Sequence, residues 1–190
     1  MSIDLVGDVV FTNYKHEHEC DEIKALMQTE LSEPYSVFTF RHFCHGWPEL
    51  TFLAKIGEKM IGACVGYTED HKSGAFRGCI AMLAIEKEHR HRKLGTILSR
   101  LCLDKMQELG CEYCLLETEH FNQASLGLYR SLGFIKVKRL NNHYMNGADA
   151  FRLKRLFKHE RQLQLEPMVS DCCKSGRCTK QTECENENAD

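Results

Sequence analysis

An apolar segment, Cys79–Ile85, passes directly into a basic segment, Lys87–Lys93, and this junction constrains the fold most. Seven consecutive apolar residues indicate a strand covered on both faces. The basic segment carries four cations and two histidines against one acid, Glu88. The segment that follows, Lys93–Leu109, has apolar residues at helical spacing and ends before Gly110, a typical helix stop. A buried strand, a loop and an amphipathic helix in that order predict a sheet with helices packed on it.

The rest of the 190-residue chain continues the alternation of strands and helices. Period-two and apolar runs predict strands at Val9–Tyr14, Leu50–Ile56, Met60–Tyr67, Arg77–Ile85, Tyr113–Leu116, Phe134–Tyr144 and Ala148–Leu156. Helical periodicity predicts helices at Cys20–Leu31, Ser36–His45, Lys93–Leu109 and Asn122–Leu132. This order predicts a single α/β (α+β) domain with a mixed central sheet of about seven strands and helices on both faces.

Composition separates a globular part from a tail. Residues 171–190 contain no aromatic residue, Leu, Ile or Val, so they cannot offset the entropy of ordering. We therefore expect a domain at 1–165 and a disordered, acidic, cysteine-containing tail at 166–190. The chain has 11 cysteines, and we find no signal peptide and no apolar run long enough to cross a membrane. These features predict reduced thiols and a cytoplasmic location.

The basic loop is the first candidate site. The free N–H groups at a helix start bind anions, and phosphate is the anion that basic residues there favour most. Gly95 lies in the turn between the predicted strand and the predicted helix, which suits this reading. The alternative is a solvated basic loop that binds no ligand, which is what most runs of charged residues form.

The second candidate site follows the buried strand at Tyr113–Leu116. Glu117 stands at the predicted strand end, Asn122 can cap the next helix, and Tyr129 lies two turns into that helix. Taken alone, these residues are also explained by capping and by a tyrosine in the core.

The two candidate sites together resemble the GNAT acetyltransferase superfamily. Arg90-x-x-Lys93-x-Gly95 is similar to its acyl-CoA pyrophosphate loop, with Lys93 standing where a glycine is usual. The run from Asn122 to Tyr129, with Gly133-Phe134 after it, is similar to its cofactor-binding helix. The resemblance implies the GNAT fold, acetyl-CoA as the acetyl donor and no metal. The implied cofactor-binding residues are Leu83, Ala84, Ile85, Arg90, His91, Arg92, Lys93, Leu94, Gly95, Thr96, Asn122 and Tyr129.

Four further segments resemble the catalytic subunits of NatC-type N-terminal acetyltransferases. They are Leu31–Ser36, Gly78–Ala84, Leu116–Glu119 and Asn146–Ala150. The resemblance implies acetyl transfer to the α-amine of polypeptides that begin with Met followed by Leu, Ile, Phe or a similar residue. The implied peptide-binding residues are Glu33, Pro34, Tyr35, Cys79 and Tyr144. Cys79 replaces an aromatic residue of these subunits, and His143 replaces one member of a tyrosine pair.

The implied chemistry is direct transfer without a covalent enzyme intermediate. Glu117 is the candidate base, acting directly or through one water, and Tyr129 is the candidate acid for the departing thiolate. A backbone N–H near Leu83–Ala84 is the candidate donor to the oxyanion. Partners implied by the resemblance are a nascent polypeptide as substrate and NatC-type auxiliary subunits, with no membrane or DNA. The basic stretch Lys136–Arg161 suits a contact with ribosomal RNA.

Two other functions remain open at this stage. The same fold could acetylate a lysine or a small amine, or the chain could be a diverged, non-catalytic paralogue that acts as an interaction module. A metal site is not expected, because Cys111 and Cys114 are three residues apart and would point to opposite faces of a strand. No second pair of ligands stands at zinc-finger spacing.

Overall fold

The fold is built on a mixed sheet, seen in a computed structural model that describes residues 3–31, 36–72 and 74–157. The strands of the described residues are β1 (Ile3–Val6), β2 (Val9–Asn13), β3 (Thr51–Ile56), β4 (Lys59–Asp70), β5 (Phe76–Ile85), β6 (Tyr113–Glu119), β7 (Ile135–Leu140) and β8 (Ala150–Leu156). Their order in the sheet is β1-β2-β3-β4-β5-β6-β8-β7. Only the central β5–β6 pair is parallel, so it divides two antiparallel halves.

Helices cover both faces of the sheet. The α-helices are α1 (Glu17–Glu30), α2 (Val37–Gly46), α3 (Leu94–Glu108) and α4 (Gln123–Ser131). Helices α1 and α2 bury Ile23, Met27 and Phe40 against one face, where Met82 of β5 also lies. Helices α3 and α4 belong to a larger apolar cluster on the other face. Burial of the central strands on both faces accounts for their continuous apolar sequence.

Helix α3 lies very close to the sheet because two facing residues are glycines. A Cβ added at Gly78 of β5 would lie 2.4 Å from Sδ of Met106, and one at Gly66 of β4 would lie 2.6 Å from Sγ of Cys102. Side chains at these two positions would push α3 outward. Since α3 begins at the basic loop, this close packing fixes where the loop stands relative to the end of β5.

The predicted fold class is confirmed, with boundary corrections that have physical causes. Strand β1 was missed. Helix α1 begins at Glu17 rather than Cys20, because His16 and Glu19 form a capping box before the first apolar residue. Strand β6 continues to Glu119, because it pairs with β8 beyond the apolar run. Strand β7 ends at Leu140, short of the predicted Tyr144.

The described residues belong to one compact unit, residues 1–158. The predicted domain limit at 165 and the predicted tail at 166–190 lie outside the described residues. Among those described, no helix is long and apolar enough to span a membrane.

Buried cysteines occur throughout the described core as free thiols. They are Cys20, Cys44, Cys64, Cys79, Cys102, Cys111 and Cys114. The prediction that Cys111 and Cys114 point to opposite faces is wrong: Cys111 precedes β6, and both thiols pack in the α3–α4 cluster. Burial raises the pKa of the Cys111 thiol to about 11. No group of three His, Cys, Asp or Glu residues suited to a metal ion is found in the part of the chain that is described.

Candidate active site

A gap between β5 and β6 forms the centre of the candidate active site. The two strands pair only from Arg77 with Tyr113 to Cys79 with Leu115. Beyond this point β6 stays paired with β8, and β5 stays paired with β4. A bulge in β5 at Ala81 marks where the pairing changes, since Val65 faces Met82 while Gly66 faces Ile80. The edge of residues 80–85 is therefore open toward the gap, with backbone groups available to a ligand.

On one side of the gap lies a groove of about 390 Å³. It is formed by the end of β5, the basic loop and the first turns of α3 and α4. The predicted cofactor-binding residues that line it are Leu83, Ala84, Ile85, Arg90, His91, Lys93, Leu94, Gly95, Thr96 and Asn122. The structure thus brings most of the predicted set together on one surface.

The backbone of the basic loop is shaped for anion binding. His91 and Lys93 both adopt left-handed conformations, with φ of 63° and 61°. Lys93 is the N-cap of α3 and makes no side-chain capping bond, so capping leaves the first N–H groups of the helix available. Gly95 follows in the first turn, where an added Cβ would lie 3.1 Å from Leu128 of α4. The loop, α3 and α4 therefore meet at this glycine.

Two of the predicted cofactor residues do not line the groove. Arg92 turns away and pairs with Asp8 at 2.5 Å, and this guanidinium lowers the pKa of that carboxyl. Tyr129 lies in the neighbouring cavity. Arg90 lines the groove, but its Nη2 atom is 2.5 Å from Oε2 of Glu30, whose side chain is only 11% exposed. Sequence reasoning missed Glu30, which comes from the end of α1.

Tyr129 faces a smaller cavity, of about 100 Å³, that extends the groove into the gap. Its side chain is 6% exposed and packs edge-on against Phe134. Burial raises the pKa of the Tyr129 phenol well above its ordinary value of 10, so the hydroxyl stays protonated at neutral pH. Asn122 caps α4 as predicted, its Oδ1 atom accepting the N–H of Ser125 at 3.1 Å.

A third cavity, of about 270 Å³, opens on the other side of the gap. Cys79 and Tyr144, both predicted to bind peptide, line it. The remaining predicted peptide-binding residues, Glu33, Pro34 and Tyr35, lie outside the described residues. Burial raises the pKa of Cys79 to about 11, which keeps this thiol protonated. Sequence reasoning missed the ion pair of Glu69 with Arg77 in this cavity, 2.7 Å between Oε1 and Nη2.

Glu117 and Tyr144 line both of these cavities, so they stand where the two meet. Glu117 lies within β6 and not at its end as predicted. Its Oε1 atom accepts hydrogen bonds from Nε and Nη2 of Arg152, at 2.9 and 2.6 Å, and its Oε2 atom lies 2.6 Å from Nε2 of His143. Arg152 is the cross-strand neighbour of Glu117, so the register of β6 on β8 was the signal that could have revealed it.

The basic stretch Lys136–Arg161 is partly neutralised within the fold. Arg152 pairs with Glu117, and Arg139 pairs with Asp149 at 2.6 Å. Lys136 belongs to β7, the strand at the edge of the sheet, and lies over the ring of Phe151 in β8. The residues after 157 lie outside the described part of the chain.

The fold and the site together define an acetyltransferase of known type. Residues 16–134 match the Acetyltransferase (GNAT) family, and the chain belongs to that family. The predicted family and the predicted enzyme class are thereby confirmed.

Within the family the chain is most usefully compared with N-alpha-acetyltransferases. It is 45% identical to N-alpha-acetyltransferase MAK3 of Arabidopsis thaliana over 163 residues, which are 86% of this chain and 85% of the relative. It is 44% identical to N-alpha-acetyltransferase 30 of Homo sapiens over 144 residues, 76% of this chain. That match spans only 40% of the human relative, and a separate match to N-alpha-acetyltransferase 30 of Xenopus laevis, also 44% identical over 144 residues, spans 53% of that relative.

Solved structures agree with this placement. The chain is similar, at 36% identity and a TM-score of 0.77, to a chain in a crystal structure of the NatC complex bound to Gag peptide and CoA, over 80% of this chain and all of that one. It shares its fold with Arabidopsis thaliana Naa50, solved in complex with the bisubstrate analogue CoA-Ac-MVNAL. That match has a TM-score of 0.72 and 21% identity over 80% of this chain and all of that one.

Proposed function

We propose that this enzyme transfers an acetyl group from acetyl-CoA to the N-terminal α-amine of polypeptides that begin with Met and an apolar second residue. The observation that carries the proposal is the gap between β5 and β6. It joins an anion-binding groove on one side to a cavity with an acid–base centre on the other. Two substrates that enter from opposite sides would meet at the open edge of β5.

The groove suits acetyl-CoA as the donor. Its pyrophosphate carries negative charge, and the basic loop offers Lys93, His91 and the uncapped start of α3. The pantetheine arm has the polarity of a peptide, so the open edge of β5 can hold it. A backbone N–H near Leu83–Ala84 would then donate to the oxyanion that develops on the acetyl carbonyl.

An α-amine is the acceptor that needs the least help from a general base. At pH 7, roughly a seventh of α-amines with pKa near 7.8 are neutral, against about one in two thousand lysines with pKa near 10.4. We assign the role of general base to Glu117, acting directly or through one water, and the role of acid to Tyr129. The buried, protonated Tyr129 suits a group that donates to a departing thiolate.

The relatives support the proposed substrate and assembly. The NatC complex whose chain is 36% identical to this one was solved with a peptide. We infer a NatC-type assembly with auxiliary subunits, working on nascent chains in the cytoplasm. The free, buried thiols of the core suit a reducing compartment. A contact with the ribosome would use the exposed basic residues of β7, Lys136 and Lys138.

The test is acetyl-CoA turnover on peptides, with and without the auxiliary subunits. A Met-Leu peptide is compared with Met-Lys and Met-Glu peptides, and with the same Met-Leu peptide blocked at its N-terminus and carrying an internal lysine. We expect turnover on the free Met-Leu peptide alone. Turnover on the blocked peptide would favour a lysine acetyltransferase, and no turnover under either condition would favour a non-catalytic module.

The variant Glu117→Gln tests the assigned base. It should lower kcat by about 10²-fold, since general-base catalysis contributes roughly that much. Glu112→Gln is the matched control, because Glu112 is exposed and lies just before β6. Equal kcat values for the two variants would remove Glu117 from the mechanism.

A further inference from the structure

Arg152 and His143 both contact the carboxylate of Glu117, and these contacts decide how the carboxylate can act. Arg152 donates two hydrogen bonds to Oε1, and Nε2 of His143 lies 2.6 Å from Oε2. Hydrogen bonds to an ionised carboxylate favour the ionised form, and the guanidinium of Arg152 is always charged. Both carboxylate oxygens of Glu117 are therefore already engaged by these two side chains.

The contact with His143 fixes the tautomer of the imidazole. An ionised carboxylate only accepts hydrogen bonds, so Nε2 of His143 carries the hydrogen in the contact with Oε2. In a neutral imidazole the lone pair is then on Nδ1. A carboxylate that orients an imidazole by one nitrogen and leaves the other to act as a base is the arrangement of the Ser-His-Asp triad. Here the ring lines the same 270 Å³ cavity as Glu117.

We propose that His143 is the proton acceptor for the incoming amine, and that Glu117 orients its ring and stabilises the imidazolium. The inference rests on the proposed function and moves the role of base from Glu117 to His143. The sequence had marked His143 only as a departure from a tyrosine pair, and a tyrosine at this position would have no comparable basicity near pH 7.

The charges around His143 favour this assignment. Glu117 of β6 and Arg152 of β8 adjoin the ring, and Tyr144 follows it in the chain. Across the cavity, β4 and β5 contribute Tyr67, Glu69, Arg77 and Cys79. Two carboxylates thus balance two guanidiniums, and burial raises the pKa of both Tyr67 and Cys79 so that they stay neutral. The Glu117 carboxylate contacts the ring directly, with 2.6 Å between Oε2 and Nε2.

The reaction balances with the groups present. The neutral amine nitrogen forms a bond to the acetyl carbonyl carbon, and one of its protons passes to Nδ1 of His143. The carbon–sulfur bond breaks with its electron pair on sulfur, and the thiolate takes a proton from Tyr129. His143, whose side chain is 35% exposed, returns its proton to solvent, and Tyr129 regains one. The enzyme ends in its starting state.

The experiment compares kcat at saturating peptide for the wild type, His143→Gln and Glu117→Gln on a Met-Leu peptide. His120→Gln is the control, because His120 bonds the backbone oxygen of Asp149 and lines neither cavity. His143→Gln should lose about 10²-fold in kcat, and imidazole added to His143→Gly should restore part of the activity.

The Glu117→Gln variant distinguishes His143 from Glu117 as the group that takes the proton. If His143 takes the proton, both His143→Gln and Glu117→Gln lower kcat, and added imidazole restores activity to His143→Gly but not to Glu117→Gln. If Glu117 takes the proton itself, Glu117→Gln lowers kcat while His143→Gln keeps it near the wild-type value, which overturns the inference. A wild type without turnover, even with auxiliary subunits, would overturn the proposed function and this inference with it. Circular dichroism of each variant confirms that it is folded.

Discussion

Lys93 occupies a backbone conformation that suits glycine, and replacing it should stabilise the protein. Its φ is 61° and its ψ is 10°, and its side chain is exposed. A left-handed conformation costs a residue with a Cβ about 1–2 kcal/mol. Glycine avoids this cost but loses about 0.5–1 kcal/mol more through its greater freedom in the unfolded chain. Lys93→Gly should therefore gain about 0.5–1 kcal/mol in free energy of unfolding.

Thermal unfolding measures this gain. For a domain of this size, about 1 kcal/mol corresponds to 2–4 °C in Tm, so we expect Lys93→Gly to melt about 1–4 °C above the wild type. Lys93→Ala is the matched control: it removes the same charge and keeps the Cβ, so its Tm should stay near that of the wild type. Calorimetric titration with CoA should show the same modest loss of affinity for both variants, about two- to fivefold for one exposed cation. If the glycine variant melted no higher than the alanine variant, the conformational argument would be refuted.

Two further predictions concern carboxylates. Glu30→Gln should release Arg90 for the phosphates and tighten CoA binding by about three- to tenfold in titration calorimetry, a gain that the exposed loop variant Glu88→Gln should lack. Glu19 is 4% exposed and pairs with Lys55 at 2.8 Å. Burial raises the pKa of Glu19, but hydrogen bonds from Lys55 and two backbone N–H groups outweigh burial and lower it below 4.5. Its stabilisation is thus present above pH 4.5 and lost as the pH falls below it. Glu19→Gln should cost about 1–3 kcal/mol in urea unfolding at pH 7 and much less near pH 3, and equal costs at both would contradict this.

The sequence was informative where a structural feature is local. A buried strand, a basic loop and an amphipathic helix follow one another in the chain, so their order predicted an anion-binding loop, and the family resemblance identified it as the donor site. Asn122 and Tyr129 were likewise found because both belong to one helix, Asn122 as its N-cap and Tyr129 two turns further on. Periodicity placed each of these elements within a few residues of its true limits.

The sequence did not predict contacts between residues that are distant in the chain. Glu30 reaches Arg90 across 60 positions, and Arg152 reaches Glu117 across 35. Both contacts depend on how elements pack, which no local pattern records. The gap between β5 and β6 depends on pairing that ends at Cys79, and an apolar run cannot show where a strand loses its neighbour.

The cross-strand contact of Glu117 with Arg152 has a consequence for biosynthesis. All residues that line the donor groove have been translated by residue 128, whereas Arg152 belongs to β8, the last described strand. A growing chain therefore contains every residue that lines the donor groove before it contains Arg152. Chains interrupted between these points would keep those residues and lack the guanidinium that hydrogen-bonds to Glu117 across the strands.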